Sequence, residues 1–119
     1  MQTFLQKNRR ELIQKFSSLK GYDFIIIDNS PGIAPSVLSF CLATKELIVI
    51  STPDPTSITD AYALIKSLKE NGLYYPPLLI LNRAKGRDQI KKVMARFQDA
   101  CKKFLSISIL FLGRCLKIV

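Results

Sequence analysis

Three short polar clusters hold the residues of this chain that could do chemistry. The first is Asp28-Asn29-Ser30-Pro31-Gly32, directly after the apolar run Ile25-Ile26-Ile27. An aspartate ending a strand covered on both faces has its carboxylate at the open edge of a sheet. There an α/β protein can hold magnesium, usually through a water, with the phosphates it accompanies. Gly32 would leave backbone N–H groups open to a phosphate, and Pro31 would stiffen the turn. A structural turn is the plainer reading of the same pair. The second cluster is Ser51-Thr52-Pro53-Asp54-Pro55-Thr56, followed by Ser57-Ile58-Thr59-Asp60. Two prolines make it rigid, and Ser57 with Asp60 three residues on reads as a capping box. A well-capped helix would explain that cluster without any ligand. The third is Asn82-Arg83-Ala84-Lys85-Gly86. The Asn82 amide has donors and an acceptor that suit the edge of a purine, or it stabilises its own turn.

Other chemistries are excluded. The chain contains no histidine, so neither a Ser-His or Cys-His relay nor a typical zinc site can be built. Cys41, Cys101 and Cys115 lack metal-ligand spacing and sit in apolar stretches, as reduced, buried thiols do. No Gly-rich G-x-x-x-x-G-K-[ST] loop occurs in the sequence.

Alternating elements must position the three clusters. Leu5, Leu12, Ile13, Phe16 and Leu19 recur at helical spacing until Gly21. Residues 22–28 read as a first strand, and residues 35–42 as a short helix opening on proline. Residues 46–51 are a second strand, and 57–70 a helix closed by Asn71-Gly72. Residues 77–82 and 107–112 are third and fourth strands. Between them, Ile90, Val93, Met94, Phe97, Cys101 and Phe104 mark one face of a long helix. Strands separated by helices imply crossovers and a parallel sheet. The expected fold is therefore α/β, a three-layer sandwich around a mainly parallel sheet of about four strands. All three clusters then fall on one rim, where open α/β sheets bind ligands.

Bulk composition agrees with one domain over residues 1–119. Hydrophobic residues make up 48% and charged residues 23%, a globular balance. No apolar run reaches the roughly 18 residues of a membrane span. Met1-Gln2-Thr3-Phe4 opens no signal-peptide core, so a cytoplasmic location is expected. The net charge of +9 is concentrated at Lys7, Arg9, Arg10, Lys15 and Lys20, and from Lys85 to Lys103. Such surfaces meet nucleic acid or anionic lipid, or are simply the solvated faces of amphipathic helices.

The Asp28-Asn29-Ser30-Pro31-Gly32-Ile33 string, the run from Thr52 to Lys66, and Asn82-Arg83 resemble, in this order, the MinD/ParA-type deviant Walker ATPases. Pro55-Thr56-Ser57-Ile58-Thr59-Asp60-Ala61-Tyr62 is most similar to the flagellar-number regulator branch (FlhG/FleN). The resemblance covers roughly residues 16–113. It implies Asp28 as the magnesium-site aspartate of switch II and Pro31-Gly32 as the turn that senses a γ-phosphate. It implies Asn82, with Arg83 beside it, as the adenine contact. It places the loop over residues 52–60, with Thr52, Pro53 and Asp54, near nucleotide and the ATP-dependent dimer face. ATP and magnesium are the cofactors it implies. A homodimer or a pairing with a full-length relative is the assembly, with flagellar or cell-pole proteins as further partners. The inner-membrane periphery would be reached through such a partner.

The chain departs from this family in carrying neither its lysine-bearing loop nor its switch I aspartate. It reads as the C-terminal half of such an ATPase, truncated or split, and is expected not to hydrolyse ATP alone. Two other readings stand beside it. One is a non-enzymatic module that pairs with a full-length relative or contacts DNA or membrane through basic helices. The other is a receiver-like domain with Asp28 as phosphoacceptor, disfavoured by the Pro-Gly that follows it.

Overall fold

A computed structural model describes residues 4–116. The elements are α1 (Phe4–Ser17), α2 (Pro35–Ala43), β1 (Ile48–Ser51), α3 (Pro55–Glu70), β2 (Leu78–Ala84), α4 (Arg87–Leu105) and β3 (Leu110–Leu116). The strands form one parallel sheet in the order β1-β2-β3. Ile48 pairs with Leu78 and Ser51 with Leu81. Between β2 and β3 the register shifts twice, at Leu79/Ile80 and at Leu81/Ala84. The fold is α/β with a parallel sheet, as the alternation of elements implies.

Helix ends follow local chemistry. Pro35 and Pro55 sit in the first turns of α2 and α3, where the missing N–H costs nothing. At the end of α3, Gly72 takes φ 108°, a conformation that L side chains rarely adopt. The Leu73 N–H then reaches the Leu68 carbonyl at 2.9 Å, and the Gly72 N–H reaches that of Lys69 at 3.3 Å. This is a Schellman closure. Leu68 and Leu73 are both buried at it. Tyr75 donates its hydroxyl to the Thr44 carbonyl at 3.0 Å and ties the end of α2 to the chain entering β2.

The core lies under one face of the sheet. Val49, Leu79 and Leu81 point into it and meet Ile65 and Leu68 of α3 and Met94, Phe97 and Cys101 of α4. Right-handed crossovers advancing in one direction put α3 and α4 on the same side, and the two helices touch each other. Helix α2 adds Val37, Leu38, Cys41 and Leu42 to the same cluster. Helix α1 lies against α2. Its stripe is only half covered: Ile13 and Leu19 stay exposed.

Two expectations are corrected here. The sheet has three strands among the described residues, not about four, because residues 22–28 form none. Ile26 is 92% exposed and Phe24 86%. No backbone hydrogen bond joins this stretch to another described element. A strand needs a neighbour for its N–H and C=O groups, and no described element supplies one here. The second correction is to the layers. Ile48 and Ile50 alternate with buried Val49 and Ser51 and are half or more exposed, and Leu110, Phe111 and Leu112 of β3 are exposed as well. The described residues therefore make two layers, helices on sheet, with the opposite sheet face uncovered. β3 also begins later than expected, at Leu110. The side chains of Cys115 and Leu116 lie outside those described.

Candidate functional site

Parallel strands share a C-terminal rim, and β1 and β2 deliver their polar ends to it. β1 ends at Ser51, level with Leu81, so Asn82 and Arg83 project past the end of β1. Both lie inside β2 and not after it, which corrects the expected end of that strand at residue 82.

Around the second cluster the hydroxyls organise the loop. The Ser57 Oγ accepts the Thr52 N–H at 2.9 Å and lies 2.9 Å from the Ser51 Oγ. Ser51 is buried, and its hydroxyl donates to the Thr52 carbonyl at 2.9 Å. The Thr52 hydroxyl donates to Asp54 Oδ2 at 3.0 Å. Asp54 occupies the N-cap position of α3 but makes no side-chain capping bond. The expected Ser57/Asp60 capping box is therefore absent. Pro55 starts the helix two residues earlier, which puts Ser57 inside the first turn with its hydroxyl folded back on the loop. Thr52 and Pro53 are half-buried and Asp54 is exposed.

The first cluster approaches this loop. Pro31, Gly32 and Ile33 line a groove of about 570 Å³. Its other wall is Val49 and Ile50 of β1, and Ser57, Asp60, Ala61, Ala63 and Leu64 of α3 form the rest. Gly32 has φ 105°. Asp28 stands on the unpaired stretch before this turn. It is exposed, and its carboxylate has no hydrogen-bond partner among the described residues. Its neighbour Asn29 donates Nδ2 to the Cys41 Sγ at 3.6 Å. That thiol is buried, and burial pushes its pKa up. The first cluster is thus pinned to α2 at Asn29, not by strand pairing.

At the third cluster the Asn82 Oδ1 accepts the Arg83 N–H at 3.0 Å, the turn-stabilising alternative for this residue. The amide Nδ2 has no partner among the described residues. Arg83 takes φ 59°, a left-handed conformation that costs a non-glycine residue roughly 1–2 kcal/mol. Such outliers concentrate at functional turns. The Lys85 N–H is held by the Gln89 side chain at 2.9 Å.

The groove brings Pro31 and Gly32 to the start of α3. Neither Asn82 nor Arg83 lines it, and neither do Thr52, Pro53 and Asp54. Ser57 and Asp60, the expected capping pair at the end of that loop, line the groove instead. The Pro-Thr-Ser run was the signal for Ser57, since a helix starting at Pro55 puts that residue in its first turn beside the loop.

Chemically, the groove does not fit a triphosphate as it stands. Its lining carries the Asp60 carboxylate and no lysine or arginine. Carboxylate and water are the natural magnesium donors, and magnesium takes one or two carboxylates when phosphates complete its shell. Asp60 is the one carboxylate in this lining, and Asp28 is not part of it. Nothing in the lining supplies the phosphate side. No group of three or more His, Cys, Asp or Glu residues capable of holding a metal occurs among the described residues. No described helix is long and apolar enough to cross a membrane.

No family model matches the chain. Among curated proteins it is 33% identical over 103 residues to the antiactivator FleN of Pseudomonas aeruginosa, covering 86% of this chain and 37% of that protein. It is 28% identical over 105 residues to the flagellum site-determining protein YlxH of Helicobacter pylori, covering 87% and 35%. A putative septum site-determining protein MinD of Oltmannsiellopsis viridis is 34% identical over 74 residues, 62% and 23%. The chain thus spans little more than a third of the flagellar relatives it matches. The flagellar relatives and MinD, similar at 28–34% identity, support a MinD/ParA, FleN-like family for this chain.

Proposed function

We propose that this chain is the switch-bearing part of a FleN-like regulator of flagellar number or placement. It answers to ATP and magnesium in company with the rest of such a polypeptide, and it does not hydrolyse ATP alone. The observation that carries this reading is the approach of the Pro31-Gly32 turn to the first turn of α3, in a chain 33% identical to an antiactivator FleN over 86% of its length. The relatives' names, antiactivator and site-determining protein, supply the flagellar role.

In this reading Asp28 would hold magnesium through a water, and Pro31-Gly32 would be the turn that senses the γ-phosphate. Thr52, Pro53 and Asp54 face the nucleotide and a second subunit. Asn82, beside Arg83, offers its free Nδ2 to the adenine edge. The partner is a second copy or a full-length relative, with flagellar or cell-pole proteins beyond it. The site of action is the cytoplasm or, through a partner, the membrane periphery.

Phosphate release and binding of a fluorescent ATP analogue test this. Release from the purified chain is expected at background. Residual analogue binding should fall about tenfold in Asn82→Ala, the loss of roughly one good hydrogen bond to the base. It should change little on magnesium chelation. Release that disappears in Asp28→Ala would overturn the proposal. The outer face of α4 favours a second reading, a polyanion-binding module: Arg87, Lys91, Lys92, Arg96, Lys102 and Lys103 are all exposed on it. Nucleotide-independent, salt-sensitive binding to DNA or anionic vesicles would select that reading.

A further inference from the structure

We infer that the uncovered face of the sheet is an interface for a second copy of this chain, and that the two copies pack sheet on sheet.

Strand register builds the face. Ile48, Leu78 and Leu110 lie in one row across the three strands, and Ile50 and Ile80 lie in the next. Leu112 falls beside Ile80, at the irregularity where β3 has one more residue than β2. Alternation sends Val49, Leu79 and Leu81 the other way, onto α3 and α4. All six residues of the face are aliphatic, and Ile48, Ile50, Leu110 and Leu112 are each half or more exposed. Together they make a contiguous apolar patch on the order of 400 Å², a size at which surface patches are often functional.

The occupant follows from what the face offers and from where the charge lies. The six side chains carry no donor, acceptor or charge, so a polar ligand gains nothing there. A flat aliphatic face is complemented by another, and twofold packing of identical faces closes after two copies. With their rims, two such patches bury on the order of 1,000 Å², enough for a specific interface. The cations argue against a membrane. Lys92, Arg96 and Lys103 are exposed on α4, which covers the opposite side of the sheet. A lipid surface is met by apolar and basic groups on the same side. In the sheet-on-sheet pair the layers run helix, sheet, sheet, helix. The two cationic α4 surfaces then lie outermost, roughly 30 Å apart, well beyond the Debye length of about 8 Å. The net charge of +9 therefore opposes this pairing little. The pairing uses neither nucleotide nor the loop at Thr52, Pro53 and Asp54, so it and the proposed nucleotide switch fail separately.

Sedimentation equilibrium of the full chain, without nucleotide, tests it over about 1–200 μM, the range in which small interfaces dissociate. The expected result is a monomer–dimer equilibrium with a Kd on the order of 10 μM and no larger species. Ile50→Lys and Leu110→Lys should each raise that Kd at least about a hundredfold, because each buries two unpaired charges per dimer. Both positions are more than half exposed, so the variants should keep the circular dichroism spectrum of the parent chain. Lys92→Glu on α4 and Ile26→Lys in the unpaired stretch should leave the Kd within about twofold. A measurement on the parent chain needs no substitution. In a mixture of equal parts methyl-labelled and unlabelled chain, isotope-filtered NOEs should link Leu78 and Ile80 across the two copies. A monomer over the whole range would overturn the inference. So would association that survives both lysine variants, open-ended oligomers, or intermolecular NOEs to α4 or residues 22–28. A dimer that forms only with ATP and magnesium would overturn it too. A monomer that binds phosphatidylglycerol vesicles, and loses them in Ile50→Lys, would give the face to lipid instead.

Discussion

Ile25-Ile26-Ile27-Asp28 and Leu79-Ile80-Leu81-Asn82 are built alike, three apolar residues and a polar one, yet their surroundings are opposite. The second is the middle of the sheet, paired on both sides, with Leu79 and Leu81 fully buried. The first is unpaired, with Ile25 47% and Ile26 92% exposed. β-branched residues favour strands locally, so propensity alone would rank the first run higher. The difference lies in the neighbours. β2 has a parallel partner at each edge and two helices beneath it, so its hydrogen bonds and apolar area are satisfied together. Residues 22–28 have Gly21 before them, a bend after them, and no strand paired with them among the described residues. Strand formation is a property of the pair and not of the run.

The largest expected effect separates the two runs by stability. Leu81→Ala should cost about 2–5 kcal/mol, the price of a cavity in a packed core. Ile26→Ala should lie within about 0.5 kcal/mol of the parent. Urea midpoints measured on both variants decide this. Equal losses would mean that residues 22–28 are buried in solution. Amide exchange gives the same contrast, slow across Leu79, Ile80 and Leu81 and fast across Ile25, Ile26 and Ile27.

A second contrast lies in the thiols near each run. Cys101 sits in the core on α4, and burial pushes its pKa up to about 11 from 9.0. Cys41 is also raised by burial, with a backbone hydrogen bond opposing, and its sulfur is held by Asn29 of the unpaired stretch. Iodoacetamide at pH 8 should therefore alkylate Cys41 well before Cys101, since opening the loose stretch uncovers it. Both pKa values are higher folded than unfolded, so the folded state holds its protons more tightly. Stability should be unaffected by these groups below pH 9. It should fall as pH rises from 9 toward 11. Thermal melts across that range check the sign, and Cys101→Ser should flatten the decline.

The smallest effect concerns the loop that faces the unpaired stretch across the groove. Ser57→Ala removes the acceptor for the Thr52 N–H and the partner of the buried Ser51 hydroxyl. The expected loss is about 1 kcal/mol, read from the urea midpoint. If Ser57 served only as a helix cap, Ser57→Asp would restore the loss. Because its hydroxyl instead bridges Thr52 and Ser51, Ser57→Asp should stay destabilised.

Much of this molecule was legible in its residues. The stripe of Ile90, Met94, Phe97 and Cys101 marked the buried face of α4. The 77–82 run marked the central strand, and Asn71-Gly72 marked the end of α3. Each of these signals is local, set by the 3.6-residue period, by alternation, or by the freedom of glycine. The order of the three polar clusters carried the family as well, because motif order survives wherever the backbone goes. Three things only the tertiary structure could decide. Residues 22–28 have strand chemistry and no strand, since pairing needs a partner elsewhere in the chain. Ser57 bonds back to Thr52, because Pro55 and not Ser57 begins the helix. One sheet face is buried and the other bare, because both crossover helices fall on one side of a sheet that advances in one direction.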